Sequence, residues 1–507
     1  MKPIGTITNT LPFVEPKYLG NLELIMEESL NYFDFSKRLC DFVLSIDASD
    51  ELVFIALYHA DQVSYTEILD DIRLKYPDSP ILRPTYSFME MNENNNWDWN
   101  RLLEEVTHAI FCTDNLLIKL DLHNLKWICI RGTSPSSADE ERIVQKIQEL
   151  LDSNDDTHFW KTRLYEIRAD QLIRDNKWSE AIDLRDLAYE TALKYNDIDF
   201  SFKIKRRQAY TLTRICDPQA LDTVNQANQI GSDLGYADRL FDITTAMIHD
   251  TRGEYNRACE LVLELLDRRI QFDSELSLRV IPQYLSRLFR RMGQQSDAIE
   301  WAKKGLESKP MLAFSHNHAR QILSKLGLAS SLALLGKTSE AVPHLDDASR
   351  LIMESSSEHW LSDMYLCHGL IERAEGNLHE AMNYFEKAFD IISRLQRQER
   401  INEALFRLAE NEILIHADNI EELFKENTRS WNQQLEDMAM TKELPGILGL
   451  AYFLKAQILV HQNKTGDARK YLLRVRELAM NPTTKFLRNY LDTLPFYQEV
   501  LADFQKE

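Results

Sequence analysis

Between residues 15 and 46 the apolar side chains fall at helical spacing, first Leu19, Leu22, Ile25, Met26 and Leu30, then Phe35, Leu39, Phe42 and Val43, which predicts two helices. The pattern then changes. Residues 52–58 are an unbroken apolar run of the kind a buried strand shows, residues 65–75 are amphipathic and helical up to Pro77, and residues 81–83 read as a second strand. A polar loop with Asn94, Asn95 and Asn96 precedes a helix over residues 99–106, and three more apolar stretches follow at 109–112, 116–122 and 126–131. Alternation in Ile118, Leu120 and Leu122 and again in Trp127, Cys129 and Arg131, with His123 and Asn124 between, favours a β-hairpin. Residues 132–140 then form a loop capping a helix over 138–151. This order describes a small α/β domain over residues 1–150, preceded by its two helices. The competing reading makes residues 50–76 two more helices and starts a helical array at the N-terminus, because short apolar runs do not separate a strand from a buried helix.

From residue 155 onward one unit repeats. Six segments close a helix with Gly or Asn, restart another two or three residues later and place Ala in its first turn: 176–181, 253–258, 293–298, 336–341, 376–381 and 463–468. The markers Ala258, Ala298, Ala341 and Ala381 are separated by steps of 40, 43 and 40 residues. Gaps of 77 residues from Ala181 to Ala258 and 87 from Ala381 to Ala468 each leave room for one degenerate unit, turning at 216–220, where Pro218 suits a helix start, and near 417–421. The sequence thus predicts eight helical hairpins over residues 155–482 and a terminal capping helix in 483–507, drawn over residues 483–505. Such a unit cannot bury its own apolar face and must stack on a neighbour, so the expected fold is mainly α, a right-handed α-solenoid beside the small N-terminal domain.

Residues 365–389 resemble the tetratricopeptide repeat family. Gly369, Gly376, Ala381, Phe385 and Ala388 fall where that family has small or aromatic side chains, and Tyr365 stands in place of its early Trp. Ala169, Ala246, Ala329 and Ala456 replace the first glycine elsewhere, while Trp178 and Tyr255 supply the turn aromatic in two units. The family unit is about 34 residues; the longer step here looks like the long-helix versions in kinesin light chains and in the sensor arms of LuxR-type bacterial transcription activators. The resemblance implies stacked hairpins whose first helices line a concave face, and it leaves the partner open.

On that face two basic groups stand out, Lys203, Lys205, Arg206 and Arg207 in the second hairpin and Arg279, Arg287, Arg290 and Arg291 in the fourth. Lys203, Arg206, Arg287 and Arg290 are the candidate partner-binding residues, suited to an acidic or phosphorylated protein or peptide. The plainer alternative is that these cations pair with acidic side chains on adjacent helices. The paired Lys and Asn by which some tetratricopeptide domains grip a chaperone tail are replaced by Glu166 and Asp170 in the first hairpin and by Leu326 and Ser330 in the fifth. His316, His318, His344, His359, His368 and His379 cluster in sequence without an i, i+4 ligand pair, so packing or surface roles are expected and no metal.

Composition narrows the function classes. The net charge is −21, of which −12 lies in residues 1–150, which disfavours direct nucleic-acid or anionic-membrane binding. No apolar stretch reaches the ~18 residues of a membrane-spanning helix. The first residues lack a long apolar signal core, and six cysteines are scattered without Cys-x-x-Cys spacing, so a cytoplasmic chain with reduced thiols is expected. No Gly-rich phosphate loop, Gly-x-Ser-x-Gly elbow or His-Glu-x-x-His occurs, and although 53–58 with His59, Asp61 and Glu67 resembles the opening of Toll/interleukin-receptor domains, their later motifs are missing. The expectation is a non-enzymatic scaffold without cofactor. Its alternatives are a ligand-sensing regulator of a separate NTPase or DNA-binding protein and a catalytic N-terminal domain tethered by the array.

Overall fold

Six residues that close the first helix of a hairpin adopt left-handed backbone: Asn176 (φ 58°), Gly253 (74°), Gly293 (79°), Gly336 (74°), Gly376 (86°) and Asn463 (57°). Glycine and, at some cost, asparagine enter that region more readily than other residues, so the marker itself ends one helix and aims the next. The structure, a computed structural model, describes residues 5–62, 68–94, 98–133, 137–234, 243–271, 281–307, 314–355, 358–417 and 430–493.

Among the described residues eight hairpins run from residue 161. They are Lys161–Arg174 with Trp178–Lys194, Ile198–Arg214 with Ala220–Leu234, Thr244–Thr251 with Tyr255–Gln271, Ile281–Arg291 with Gln295–Glu307, Phe314–Leu334 with Thr338–Ser355, Glu358–Ala374 with Leu378–Arg394, Gln398–Ile415 with Trp431–Thr441, and Pro445–His461 with Thr465–Met480. Cys216 (φ 52°) makes the turn of the second. The turn expected near 417–421 lies outside the described residues from 418 on. All six marker alanines are fully buried, as are Ala169, Ala329 and, within 1%, Ala246 and Ala456, so small residues sit where the two helices of a hairpin touch.

The N-terminal strands are corrected to helices; among the described residues there is no strand. The run 52–58 lies within helix Asp50–Gln62, where every residue from 52 to 60 is buried. A helix enclosed on all sides has no polar stripe, and so its sequence shows no helical period. The supposed hairpin at 116–131 is one helix, Leu116–Gly132, started by Asn115, whose side chain accepts from the Ile118 amide at 3.4 Å. Ile118, Leu122 and Cys129 enter one apolar core while Leu117, Leu120 and Trp127 enter another. Two buried faces on one helix imitate strand alternation. The stretches 81–83 and 109–112 likewise belong to the turn and start of Arg83–Asn94 and the end of Trp99–Cys112.

The single terminal helix is corrected too. The chain makes a 3-10 turn at Pro482–Thr484, where Thr484 Oγ1 donates to the Leu478 carbonyl at 2.6 Å, then a short helix Leu487–Leu491. Residues 494–507 are outside the described set.

The helices gather into two compact units, residues 1–211 with 222–241 and residues 212–221 with 242–507. The first holds a buried polar knot: His59 lies 2.8 Å from Tyr32 Oη and 3.0 Å from Thr10 Oγ1, and burial, with Arg163 nearby, lowers its imidazole to about 3. A neutral imidazole has one donor and one acceptor, which matches two hydroxyl partners. No helix among the described residues is long and apolar enough to cross a membrane.

Candidate functional site

In the second unit the first helices of the third, fourth, sixth and seventh hairpins bring charge together. Ile281, Leu285 and Leu288 bury one side of helix Ile281–Arg291 and leave Arg287, Arg290 and Arg291 three and four residues apart on another. Arg287 Nη2 donates to Asp250 Oδ2 at 2.7 Å and Arg291 Nη1 to Asp250 Oδ1 at 2.6 Å. Asp250 sits in the last turn of Thr244–Thr251, where the helix dipole disfavours an anion, so these guanidinia are what hold it charged. The other amine of Arg291 donates to Glu403 Oε2 at 2.8 Å, and Arg290 reaches Glu403 Oε1 at 3.3 Å.

The network continues along helix Gln398–Ile415. Arg400 donates to Asp363 at 3.3 Å, and Arg373 and Arg407 share Glu410, each at 2.7 Å. Beside them Arg214 and Arg397 share Glu399 at 2.7 and 3.2 Å. The eight arginines named here face five carboxylates. Burial opposes ionisation of Glu403, yet Arg291, Arg290, Arg400 and Arg407 hold it well below the usual carboxylate range. Asp250 is lowered in the same way, with burial outweighed by Arg291 and Arg287. Arg400 differs from its neighbours: burial, with Arg287, Arg397 and Arg291 adding to it and Asp363 opposing it, lowers its guanidinium to about 10, whereas carboxylate partners raise Arg287, Arg291 and Arg407. Burial is the main cause of that lowering, and an anion placed beside Arg400 would favour its charged form.

These contacts also close the array upon itself. In an open solenoid each hairpin touches its neighbours, but here the third reaches the seventh and eighth. Asn402 Nδ2 donates to the Thr251 carbonyl at 3.2 Å and the Gly446 amide to the Arg252 carbonyl at 3.2 Å. The interior they enclose is narrow. A cavity of about 20 Å³ remains among Arg291, Glu403, Phe406, Arg407 and Tyr490.

Arg287 and Arg290 therefore meet at the centre of this face, and both are paired. Lys203 and Arg206, in the other unit, have local partners: Lys203 lies 3.7 Å from Asp199, and Arg206 stacks at 5.3 Å over Phe202. Glu166 and Asp170 accept from Arg185 at 3.2 and 3.0 Å. A larger cavity in that unit, about 760 Å³, is flanked by the ion pairs of Arg168 with Glu141 and Arg174 with Glu140, so its charge is balanced. His368 stacks on Tyr384 at 4.9 Å, and the side chains of His316, His318 and His359, like that of Arg279, lie outside the described residues. Asp250, Glu403, Arg400, Arg407 and Glu410 were not singled out by sequence. The available signal was the spacing of Arg400, Glu403, Arg407 and Glu410, alternating charges at steps of three and four on a mostly buried helix.

Residues 362–394 match the tetratricopeptide repeat family. No curated protein matches the chain in sequence. Among solved structures it is similar to a Rap protein complexed with competence and sporulation factor, at 14% identity and a TM-score of 0.39, over 68% of this chain and 99% of that one. The apo form of RapI gives 12% and 0.34, over 68% and 98%. A signal transduction ATPase with numerous domains and a tetratricopeptide repeat sensor, from Pyrococcus horikoshii, gives 11% and 0.31, over 96% and 69%. The matched unit places Phe385 against Gly369 and buries Ala381 and Ala388, and hairpins of the same plan precede and follow it, so residues 362–394 are a tetratricopeptide repeat within a longer array of such hairpins.

Proposed function

We propose that the protein is a non-enzymatic interaction scaffold whose second unit binds an acidic or phosphorylated peptide segment of a partner protein at the arginine centre. The observation that carries this reading is the gathering of Arg287, Arg290, Arg291, Arg400 and Arg407 on neighbouring first helices, with Arg287 and Arg290 still part-exposed. A chain of net charge −21 that concentrates cations on the first-helix face of a repeat array suits an anionic ligand there. Arg287, with 23% of its side chain exposed, and Arg290, with 12%, are the first contacts an entering carboxylate or phosphate would meet. All six cysteines are free, which supports a reducing, cytoplasmic setting.

Self-closure of the array favours a second, related reading, in which binding changes the curvature of the hairpins and so regulates a separate protein. The test is fluorescence anisotropy with a labelled octaglutamate peptide and a phosphoserine-containing counterpart. Arg287→Ala with Arg290→Ala should weaken binding at least about tenfold and flatten its salt dependence. Equal affinity in a folded double variant would remove this site.

A further inference from the structure

A segment that the repeats do not require lies against one side of the arginine centre. After the eighth hairpin, residues 481–493 run back across the third and fourth hairpins. Tyr490 packs edge-on against Phe406, Phe453 and Phe486 at 5.9, 5.6 and 6.0 Å between ring centres, and its hydroxyl donates to the Arg291 carbonyl at 3.0 Å. Asn489 Nδ2 donates to the Met292 carbonyl at 2.7 Å, and the Phe486 amide donates to Asn256 Oδ1 at 2.7 Å. Tyr490 also walls the small cavity beside Arg291, Glu403 and Arg407.

The two sides of this strap are held differently. Toward the eighth hairpin it is anchored by apolar packing, because Leu487 is fully buried and lies where Gly449 has no Cβ to exclude it. Toward the third and fourth hairpins it is held by those three hydrogen bonds, by Phe486 against Tyr255 at 4.6 Å and by the Pro482–Thr484 turn against helix Tyr255–Gln271. Hydrogen bonds exchanged with water contribute little net stability each. The strap is thus built to stay with the eighth hairpin and to part from the third and fourth, and the backbone contact of Gly446 with Arg252 lies on the same seam.

The geometry points to residues 481–493 as an autoinhibitory latch that covers the Arg291, Glu403 and Arg407 side of the arginine centre until the seam opens. This rests on the proposed peptide-binding role only for what enters; the latch itself is a statement about access. Asp250 and Glu403 act within it as internal stand-ins for the ligand's anions, saturating Arg287, Arg290 and Arg291 while the seam is shut.

The test is arginine modification by phenylglyoxal, read by mass spectrometry on the full chain, with octaglutamate affinity measured in parallel. Asn489→Ala with Tyr490→Phe removes two of the strap's bonds and keeps its ring. Modification of Arg291 and Arg407 should rise about tenfold, while that of exposed Arg142 stays constant. Tyr490→Phe alone, a milder change, should give a smaller rise in the same direction and serves if the double variant does not fold. Faster modification with tighter peptide binding supports both latch and ligand. Faster modification with unchanged peptide affinity supports the latch and counts against the peptide. Unchanged modification of Arg291 and Arg407 in either variant, with native circular dichroism and sedimentation, overturns the latch.

Discussion

Gly446 lies flat against Gly253, so that a Cβ on Gly253 would stand 2.7 Å from the Ile447 nitrogen and 2.9 Å from the Gly446 Cα, while one on Gly446 would overlap the Gly253 carbonyl oxygen. Both glycines are needed for the third hairpin to touch the eighth, and at Gly253 the left-handed φ of 74° is a second reason. Gly446→Ala should destabilise the second unit by about 1–3 kcal/mol through overpacking. A thermal scan reads this as a drop of several degrees, and an unchanged midpoint would mean that the seam is not tightly closed in solution.

Glu403 joins two hairpins through Arg290 and Arg291 with 9% of its side chain exposed. Glu403→Ala leaves buried guanidinia without their anion and should cost about 3–5 kcal/mol. Glu403→Gln keeps the shape and some acceptor capacity and should cost less. Urea unfolding of the pair gives the comparison, and equal losses would show that charge is not what matters there.

Two kinds of carboxyl give opposite pH dependences. Burial opposes the charge on Asp250, Glu403 and Glu410, but their arginine partners keep all three below their ordinary values. Their contribution is complete above the unfolded values of about 3.9 and 4.3 and is lost as pH falls below them. Glu412 is the reverse: burial raises it to about 7 against the hydrogen bond from the Trp431 amide. Its contribution is complete below about pH 4.3 and is lost as pH rises through 7. Glu412→Gln should therefore remove a decline in stability between pH 5 and 8, and should exceed the parent at pH 8 in midpoint temperature.

Phe385 is fully buried against Gly369 in the sixth hairpin. Phe385→Ala should cost about 3–5 kcal/mol, and Gly369→Ala should be destabilising because its Cβ would strike the Phe385 ring. Because the two residues share one space, Gly369→Ala with Phe385→Leu should cost less than the sum of the single changes. Additive losses in denaturant titrations would separate the two positions.

The hairpins could be read from sequence because their turns are chemical: a Gly or Asn that can take positive φ, followed by an Ala that must be small. The N-terminal helices could not, and the reasons differ. Residues 52–60 are buried all round, so they carry no period, whereas 116–132 faces two cores and carries a misleading one. The arginine centre was half legible. Register grouped Arg287 and Arg290 on one face of their helix, but Glu403 reaches them from three hairpins further along the chain, which no local spacing encodes. No spacing marks Asp250, and its partners Arg287, Arg291 and Tyr284 show why a carboxylate stands there.

Contact between the third and eighth hairpins has a consequence for how such a chain can vary. A stack that never meets itself can gain or lose a member and keep every remaining neighbour. Six members whose first and last touch cannot. Removing one would withdraw Gly446 from Gly253 and Glu403 from Arg290 in a single step, so the length of this part of the protein is set by its own circumference.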